Sequence, residues 1–509
     1  MRYHPLTIAF RIYQLVKNSL FLAIILFVLK KDSTSWLFEY GRYALVVFII
    51  WRLAYIIIAW FLERYEWKDR TFHIHKGIFV KHTSTIPFSK IQNVTRKTTI
   101  FHKLVGLTSL TFETAMDGED DAIHFEVLSD KHANFLLDLV QPTEKGTSQK
   151  ENQEEDVEQI PKQEEEELEL EQRRIQETNR TVHFTPNRKD LWKASFTSLS
   201  FLAIIPIVAG MFDYMESLLP EIDQVEGIFQ GLLDHTWLLF GIILLAVIVA
   251  VTFGVARTFI RYGKYEISSD AKYVYIDRGV LNESYFAMEK KKIQGLEMNQ
   301  TFMKRLFGLV EVKLISSASP NNTGGEVNVN SLYPFLPMKK AYQLIEELLP
   351  TYQLHAELEK LPRKSLWVKL LKPSWIWIVA TIALVYFKPN FFQLDQAWWI
   401  GSLGLFCFIL LQRILDYIHT RYVVTEDQVQ WWNGGLTTRM FITKRKNVIE
   451  LSYSQTRLQS YFKVASIMTK NRSNPLHIEE INDIPLPYAV TINEWHRKRR
   501  EDVELVKND

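Results

Sequence analysis

Long apolar runs and short aromatic or β-branched runs take turns along this chain, and the alternation occurs three times. Six apolar segments approach the roughly 20 residues that a membrane-spanning helix needs. They lie near Ser19–Leu37, Tyr43–Leu62, Phe196–Met215, Trp237–Ala256, Trp375–Phe392 and Ala397–Leu415. The first clean run stops at Lys30-Lys31, and Pro5–Val16 ahead of it reads as an amphipathic interfacial helix. Behind each pair the pattern shortens. Thr71–Gly77, Tyr273–Gly279 and Val429–Gly434 are strand-like runs closed by glycine, which reads as a strand entering a tight turn. Further strand-like runs follow at Leu107–Thr114, Val310–Ser316 and Val464–Thr469, then helical stretches at Ser129–Val140, Leu336–Leu349 and Tyr488–Arg499. Many strands and one terminal helix in so short a length predict a small antiparallel sandwich or barrel with one end covered by the helix.

The strand-rich stretches are copies of one another. Gly77, Lys90-Ile91-Gln92 and Leu104-Val105-Gly106-Leu107 recur with identical spacing as Gly279, Lys292-Ile293-Gln294 and Leu306-Phe307-Gly308-Leu309. A weaker third copy keeps the frame as Gly434, Asn447-Val448-Ile449 and Tyr461-Phe462-Lys463-Val464. Each copy must be a comparable structural unit. The predicted fold is therefore a multi-pass membrane protein, with six transmembrane helices in three hairpins, each hairpin followed by a small cytoplasmic domain. The expected divisions are 1–62 (interfacial helix and first hairpin), 63–140 (domain 1), 141–180 (acidic linker), 181–260 (second hairpin), 261–352 (domain 2), 353–416 (third hairpin) and 417–509 (a degenerate domain 3 and basic tail).

Average composition hides this plan, since 509 residues at 47% hydrophobic and a mean hydropathy of −0.07 resemble a soluble multidomain protein. Charge placement is more informative, because Lys and Arg beside short loops mark the cytoplasmic side. The connector from Asp213 to Thr236 carries Asp213, Glu216, Glu221, Asp223, Glu226 and Asp234 and no Lys or Arg, whereas Arg188, Lys189, Lys193, Arg257, Arg261 and Lys264 flank its hairpin. The third hairpin agrees, with Arg363, Lys364, Lys369, Lys372, Arg413 and Arg421 against Lys388. The first is ambiguous because Lys30, Lys31 and Arg42 occupy its connector. Two hairpins against one put both termini and all three domains in the cytoplasm. No charged n-region, short h-region and small-residue cleavage site occur together, so no removable signal peptide is expected. The single cysteine, Cys407, sits in an apolar run, where it is expected to be buried and where the thiolate a nucleophile requires is disfavoured.

The residues now carry a resemblance. Arg64-Tyr65 or Arg421-Tyr422, the following Asp69, Asp270 or Asp427, the conserved-frame glycine, Ile86-Pro-Phe-Ser-Lys-Ile-Gln92 and the closing Leu-x-Gly-Leu resemble the bacterial pleckstrin-homology-like (PH-like) membrane-flanked domain family. Three copies with paired spans are similar to the YdbT type of that family, over nearly the whole chain. Repeat three departs, with Lys463 in place of the second glycine. The resemblance implies PH-like folds, work beside a smaller single-domain membrane-flanked relative, and a part in envelope defence against antimicrobial peptides.

The motif residues themselves read mainly as scaffold: Gly77, Gly279 and Gly434 suit positive φ in a hairpin, while Gly106 and Gly308 suit a close backbone approach before the next strand. Functional candidates are basic. Lys290-Lys291-Lys292 and Lys444-Arg445-Lys446 hold equivalent places, and domains tethered to spans hold such clusters near an anionic leaflet, where each cation contributes about 1 kcal/mol. They bind lipid headgroups, seat the domain, or meet a protein. Arg188-Lys189 with Trp192 and Arg363-Lys364 with Trp367 are interfacial anchors. Arg52 stands mid-span, where a charge either marks function or snorkels to the interface, and Asp416, just past the sixth span, is the acidic residue to suggest as its partner. The stretch from Gln141 to Arg180 is acidic and poor in core-forming residues, as in a solvated linker.

No phosphate-cradling loop, nucleophile elbow or zincin motif is present, and His73 and His75 on one strand face are a thin metal hint. The expectation is a protein that is not an enzyme and has no cofactor, a membrane scaffold presenting PH-like domains to protein partners or membrane lipids. A transporter or lipid-handling channel component is the alternative. Nucleic acid is not expected, given a net charge of +2 and no basic-aromatic platform.

Overall fold

The computed structural model describes residues 1–29, 35–78, 80–114, 122–140, 180–197, 236–317, 331–387, 397–473 and 476–498. The third predicted span, nearly all of the acidic linker, the Asp213 connector and the basic tail past 498 lie outside the described residues. Four described segments are long and apolar enough to cross a membrane: Leu6–Val28, Phe38–Leu62, Arg363–Phe387 and Trp398–His419. A further helix, Thr236–Tyr262, covers the predicted fourth span; its 27 residues reach roughly 40 Å at 1.5 Å per residue. Apolar side chains on these helices point outward, among them Val47, Ile50, Trp51, Ile376, Val379 and Ile382, as lipid-facing residues do.

The N-terminus departs from expectation. Leu6–Ile24 is one helix that continues through Ile25–Leu29, so no separate interfacial helix precedes the span. Its first turns are pinned to the domain that follows: Arg11 bridges Glu63 and Glu126 at 2.8 and 2.6 Å, and Phe10 packs on Leu107 and Val127. Phe10 on the face read as membrane-seeking is covered by protein, while Tyr13 and Val16 stay exposed. Cys407 also departs, lying exposed on the outer surface of the helix Ala397–His419 rather than buried.

Two compact units make up the chain, Met1–Met288 and Glu289–Asp509, and the boundary falls inside the predicted domain 2. In the first unit, β1 (Arg64–Lys68), β2 (Thr71–Lys76) and β3 (His82–Pro87) form one antiparallel sheet. A short 3₁₀ turn, Phe88–Lys90, leads to β4 (Ile91–Thr98), β5 (Leu107–Thr114) and β6 (Ala122–Ser129), and the helix Asp130–Val140 closes the repeat. Phe72, Ile74 and Ile86 meet Val94, Leu110, Phe112 and Phe125 between the two sheets, with Ala133 and Leu136 of the helix over the end. This is the expected sandwich; burying each such phenylalanine is worth about 2–3 kcal/mol. β7 (Thr181–Phe184), β8 (Tyr265–Ser269), β9 (Tyr273–Arg278) and β10 (Glu283–Glu289) follow.

The second unit continues with β11 (Ile293–Gln300), β12 (Leu309–Ser316), β13 (Ser331–Pro337) and the helix Met338–Leu348. After β14 (Glu359–Lys360) and the third hairpin come β15 (Arg421–Val424), β16 (Gln428–Asn433) and β17 (Thr438–Lys444). β18 (Val448–Ser454), β19 (Val464–Asn471), β20 (His477–Pro485) and the helix Leu486–Arg497 complete repeat three. Tyr422, Val429, Trp431 and Phe441 pack there against Ile467, Ile481, Ile484, Ile492 and Trp495. Each described second arm of a hairpin enters its domain almost without a linker: Leu62 precedes β1, Tyr262 precedes β8 and His419 precedes β15 by two or three positions.

The repeated glycines separate into two kinds. Gly77, Gly279 and Gly434 have φ of 109°, 97° and 115°, as a positive-φ hairpin position requires. Gly106 and Gly308 have φ of 64° and 67°, yet a Cβ on either would meet nothing within 4 Å. Left-handed backbone after a short helix, not close approach, selects glycine there. Lys463 adopts the same conformation at φ 57°. Lys463→Gly is expected to raise stability by about 1 kcal/mol, read as a higher denaturation midpoint; an unchanged midpoint would mean the lysine side chain makes a compensating contact.

Candidate functional site

The repeats are joined through their sheets. In the first unit the strand order is β6-β5-β4-β10-β9-β8-β7, so the edge strand β4 of repeat one pairs antiparallel with β10 of repeat two. In the second unit the order is β13-β12-β11-β17-β16-β15-β14, and β11 of repeat two pairs with β17 of repeat three. The register is the same in both: Asn93 faces Met288, and Gly295, its equivalent, faces Thr443, the equivalent of Met288. Six residue pairs join the strands at each junction, which covers edges a free sheet would expose.

A cation locks each junction a second time. Lys103, on the short helix Ile100–Leu104, donates to Val280 O at 3.0 Å and Glu283 Oε1 at 2.9 Å in the next repeat's hairpin. Arg305, at the equivalent place on Phe302–Leu306, reaches Leu436 O at 3.4 Å and Thr438 Oγ1 at 3.0 Å. The hairpin turn so gripped is also bound by the membrane helix before it: Gly434 N donates to Asp416 Oδ1 at 3.1 Å and Leu436 N to Gln412 Oε1 at 3.1 Å. Asp416 additionally pairs with Lys369.

The predicted basic clusters lie on the 3₁₀ turns Lys290–Lys292 and Arg445–Asn447, the links between the two halves of a repeat. Only the middle of each is fully outward, as Lys291 and Lys446 are exposed. Lys292 pairs with Glu289 at 3.3 Å, Lys444 lies 4.7 Å from the Tyr352 ring, and Arg445 lies 6.0 Å from the Trp495 ring. Burial, with the nearby Lys446 charge, lowers the Lys444 pKa. Asn447, replacing the motif lysine, donates to Gln294 O at 3.0 Å, so the repeat-three substitution serves the junction. Gln294 caps its own turn through Lys292 O at 3.3 Å. Arg52 lies over the Tyr55 ring at 5.1 Å, and the suggested Asp416 is held by Lys369 and the Gly434 turn. His73 and His75 each bond a cross-strand threonine, Thr85 and Thr83, at 3.1 and 3.0 Å.

Two groupings were illegible in the sequence. Glu297, His477 and Glu479 bring ligand-type atoms within 4.8 Å of one another, but Arg439 already supplies a cation there, 3.0 Å from Glu479 and 3.5 Å from Glu297. The set reads as a junction ion network rather than a metal centre. In the first unit Arg180 lies 3.9 Å from the Tyr275 ring and 5.8 Å from that of Tyr285, beside Asp277. Burial pushes the Asp277 carboxyl up to about 6, with Glu266 adding to it and Arg180, Lys264 and Arg96 opposing. The folded protein therefore holds this proton more tightly than the unfolded chain, so stability falls as pH rises from about 4 to about 6. Asp277→Asn is expected to remove a loss of about 2 kcal/mol over that window; parallel stability curves for variant and parent across it would contradict the assignment.

Comparison with known proteins agrees with this architecture. The Bacterial PH domain model matches three times, over residues 20–143, 219–351 and 371–500, each match taking in membrane helix as well as domain. The chain is 25% identical over 511 aligned positions, 98% of its length and 99% of the other's, to the UPF0699 transmembrane protein YdbT of Bacillus subtilis (strain 168). No solved structure matches the chain. With apolar helices running directly into PH-like sheets and the family pattern recurring along most of its length, this chain is a membrane protein belonging to the Bacterial PH domain family.

Proposed function

We propose that the protein is a non-enzymatic scaffold of six spans that holds three PH-like domains on the cytoplasmic face of the membrane, presenting them to lipids or protein partners. The observation that carries this reading is the absence of slack. The described second arms of the hairpins pass into strands within two or three positions, and successive repeats share a sheet. Such a construction fixes the orientation and spacing of domains, which a scaffold needs and a flexible tether would not supply. The cytoplasmic side follows from the basic flanks and acidic connector of the second hairpin.

Lys291 and Lys446 are the outward cations of the equivalent turns and the best-placed contacts for anionic headgroups. A smaller single-domain membrane-flanked relative is the protein partner, and defence against antimicrobial peptides the setting. The test is a crosslinking pull-down of tagged protein from native membranes, with Lys290–Lys292 and Lys444–Lys446 neutralised in parallel. Capture of a membrane protein insensitive to the charge changes supports the scaffold, and anionic lipid lost on neutralisation supports headgroup binding. The absence of both results, together with unchanged peptide sensitivity on deletion, would sink the proposal.

A further inference from the structure

The first and third repeats each keep an edge strand that the pairing of the repeats leaves over. Each internal junction joins the strand after a repeat's 3₁₀ turn, β4 or β11, to the strand before the next repeat's turn, β10 or β17. The matching strand at the far end is β18, and the matching strand at the near end is β3. Among the described residues β18 has one strand neighbour, β19, and β3 has one, β2. We infer that a second copy of this chain fills the gap: β18 of one copy pairs antiparallel with β3 of the next, head to tail, in the register of the internal junctions.

One side chain of β18 shows what a paired neighbour would cover: Met298 on β11 is 2% exposed, whereas Tyr453, its equivalent, is 44% exposed. Transferring the common register sets Glu450 against Ile86, Leu451 against Thr85, Ser452 against Ser84, Tyr453 against Thr83 and Ser454 against His82. No like charges face each other in that alignment. Pro87, which has no N–H to give, aligns with Glu289 and Lys444, and both fall outside the paired register of their junctions. An edge joined this way draws on backbone hydrogen bonds, which tolerate the polar side chains of β3.

The occupant is argued from the chain itself, because β3 is the strand that its own repeat plan supplies for this position. Because each internal junction already joins repeats that carry membrane helices, a third with the same register makes no new demand on the membrane. Pairing unlike surfaces gives a contact that propagates into a ring or a row rather than stopping at a dimer. The added junction is weaker than the internal ones: Ser460 stands where Lys103 and Arg305 lock the others, and β3 offers Thr83 and Ser84 where β10 and β17 offer Tyr285, Phe286, Met440 and Phe441. Assembly is therefore reversible and dependent on density in the membrane. This inference deepens the scaffold reading but does not rely on lipid binding or on any other partner.

The test is disulfide trapping in native membranes on a Cys407→Ser background. One copy carries Tyr453→Cys and one tag; a second carries Thr83→Cys and another tag. Oxidation is expected to give a mixed dimer, and a chain with both substitutions to give a ladder of higher species. An off-strand pair, Tyr453→Cys with Lys76→Cys on β2, should give only background. Resistance to limited proteolysis shows that each variant is folded. Folded variants that give no mixed dimer overturn the inference. So does an intrachain bond in the double variant diluted to one copy per nanodisc, or quantitative capture of a different protein by Tyr453→Cys. The last result would leave the scaffold reading intact, which separates the two failures.

Discussion

Gly279→Ala is expected to unfold the second repeat's hairpin, at a cost of about 3 kcal/mol or more. Two independent penalties coincide there. The backbone sits at φ 97°, a region that side-chain-bearing residues rarely adopt, and an added Cβ would lie 1.9 Å from Asn282 O. That oxygen belongs to the backbone of a turn whose Asn282 side chain accepts from Ile100 N at 3.2 Å and whose Val280 O is gripped by Lys103. The turn cannot move aside without loosening the first junction. Gly106→Ala is the matched control, with φ 64° but open space, and should cost about 1 kcal/mol. Denaturation midpoints and protease susceptibility of the purified full chain read the difference. Equal effects would show that φ alone sets the cost and that the turn has room to relax.

Arg439→Met is expected to cost about 2–3 kcal/mol, because it leaves Glu297 and Glu479 facing each other at the second junction without their cation. Both carboxylates are buried, Glu297 on β11 and Glu479 on β20, while the arginine comes from β17 between them. Burial works against the guanidinium charge, and the two carboxylates more than restore it. Breaking such a network is far more damaging than replacing it whole. The triple variant Arg439→Met, Glu297→Gln, Glu479→Gln should therefore recover most of the loss. A triple variant as weak as the single one would mean that the arginine acts by packing its stem, not by its charge.

Much of the fold was legible because the signals are periodic and local. The β5 limits coincide with the predicted Leu107–Thr114, and the terminal helices fall within a few residues of Ser129–Val140, Leu336–Leu349 and Tyr488–Arg499. The positive-φ glycines were legible for the same reason, since a strand closed by glycine has few other uses. Where the reading slipped, a neighbour distant in sequence was decisive. Pro5–Val16 is amphipathic, but its Phe10 and Leu6 pack with Leu107 and Val127 of the following domain. The basic clusters stood out as charge, yet Tyr352, Glu289 and Trp495 occupy most of them and leave Lys291 and Lys446 outward. The Arg439 network draws on three strands, with Glu297 more than a hundred positions from Arg439 and Glu479, a separation for which no spacing rule exists.

The sequence by itself determined that this protein is a threefold repeat of membrane helices and small β-rich domains, because burial against lipid and burial in a sandwich impose different periods on hydrophobic residues. Those periods are properties of single segments and survive without knowledge of any partner. Only the tertiary structure decided that β4 joins β10 and β11 joins β17, so that the compact units straddle the repeats instead of coinciding with them. Edge pairing is made by backbone groups that every residue carries, so it leaves almost no mark on side-chain identity. Its trace lies in exposure differences such as Met298 against Tyr453, which become visible only once the strands have neighbours.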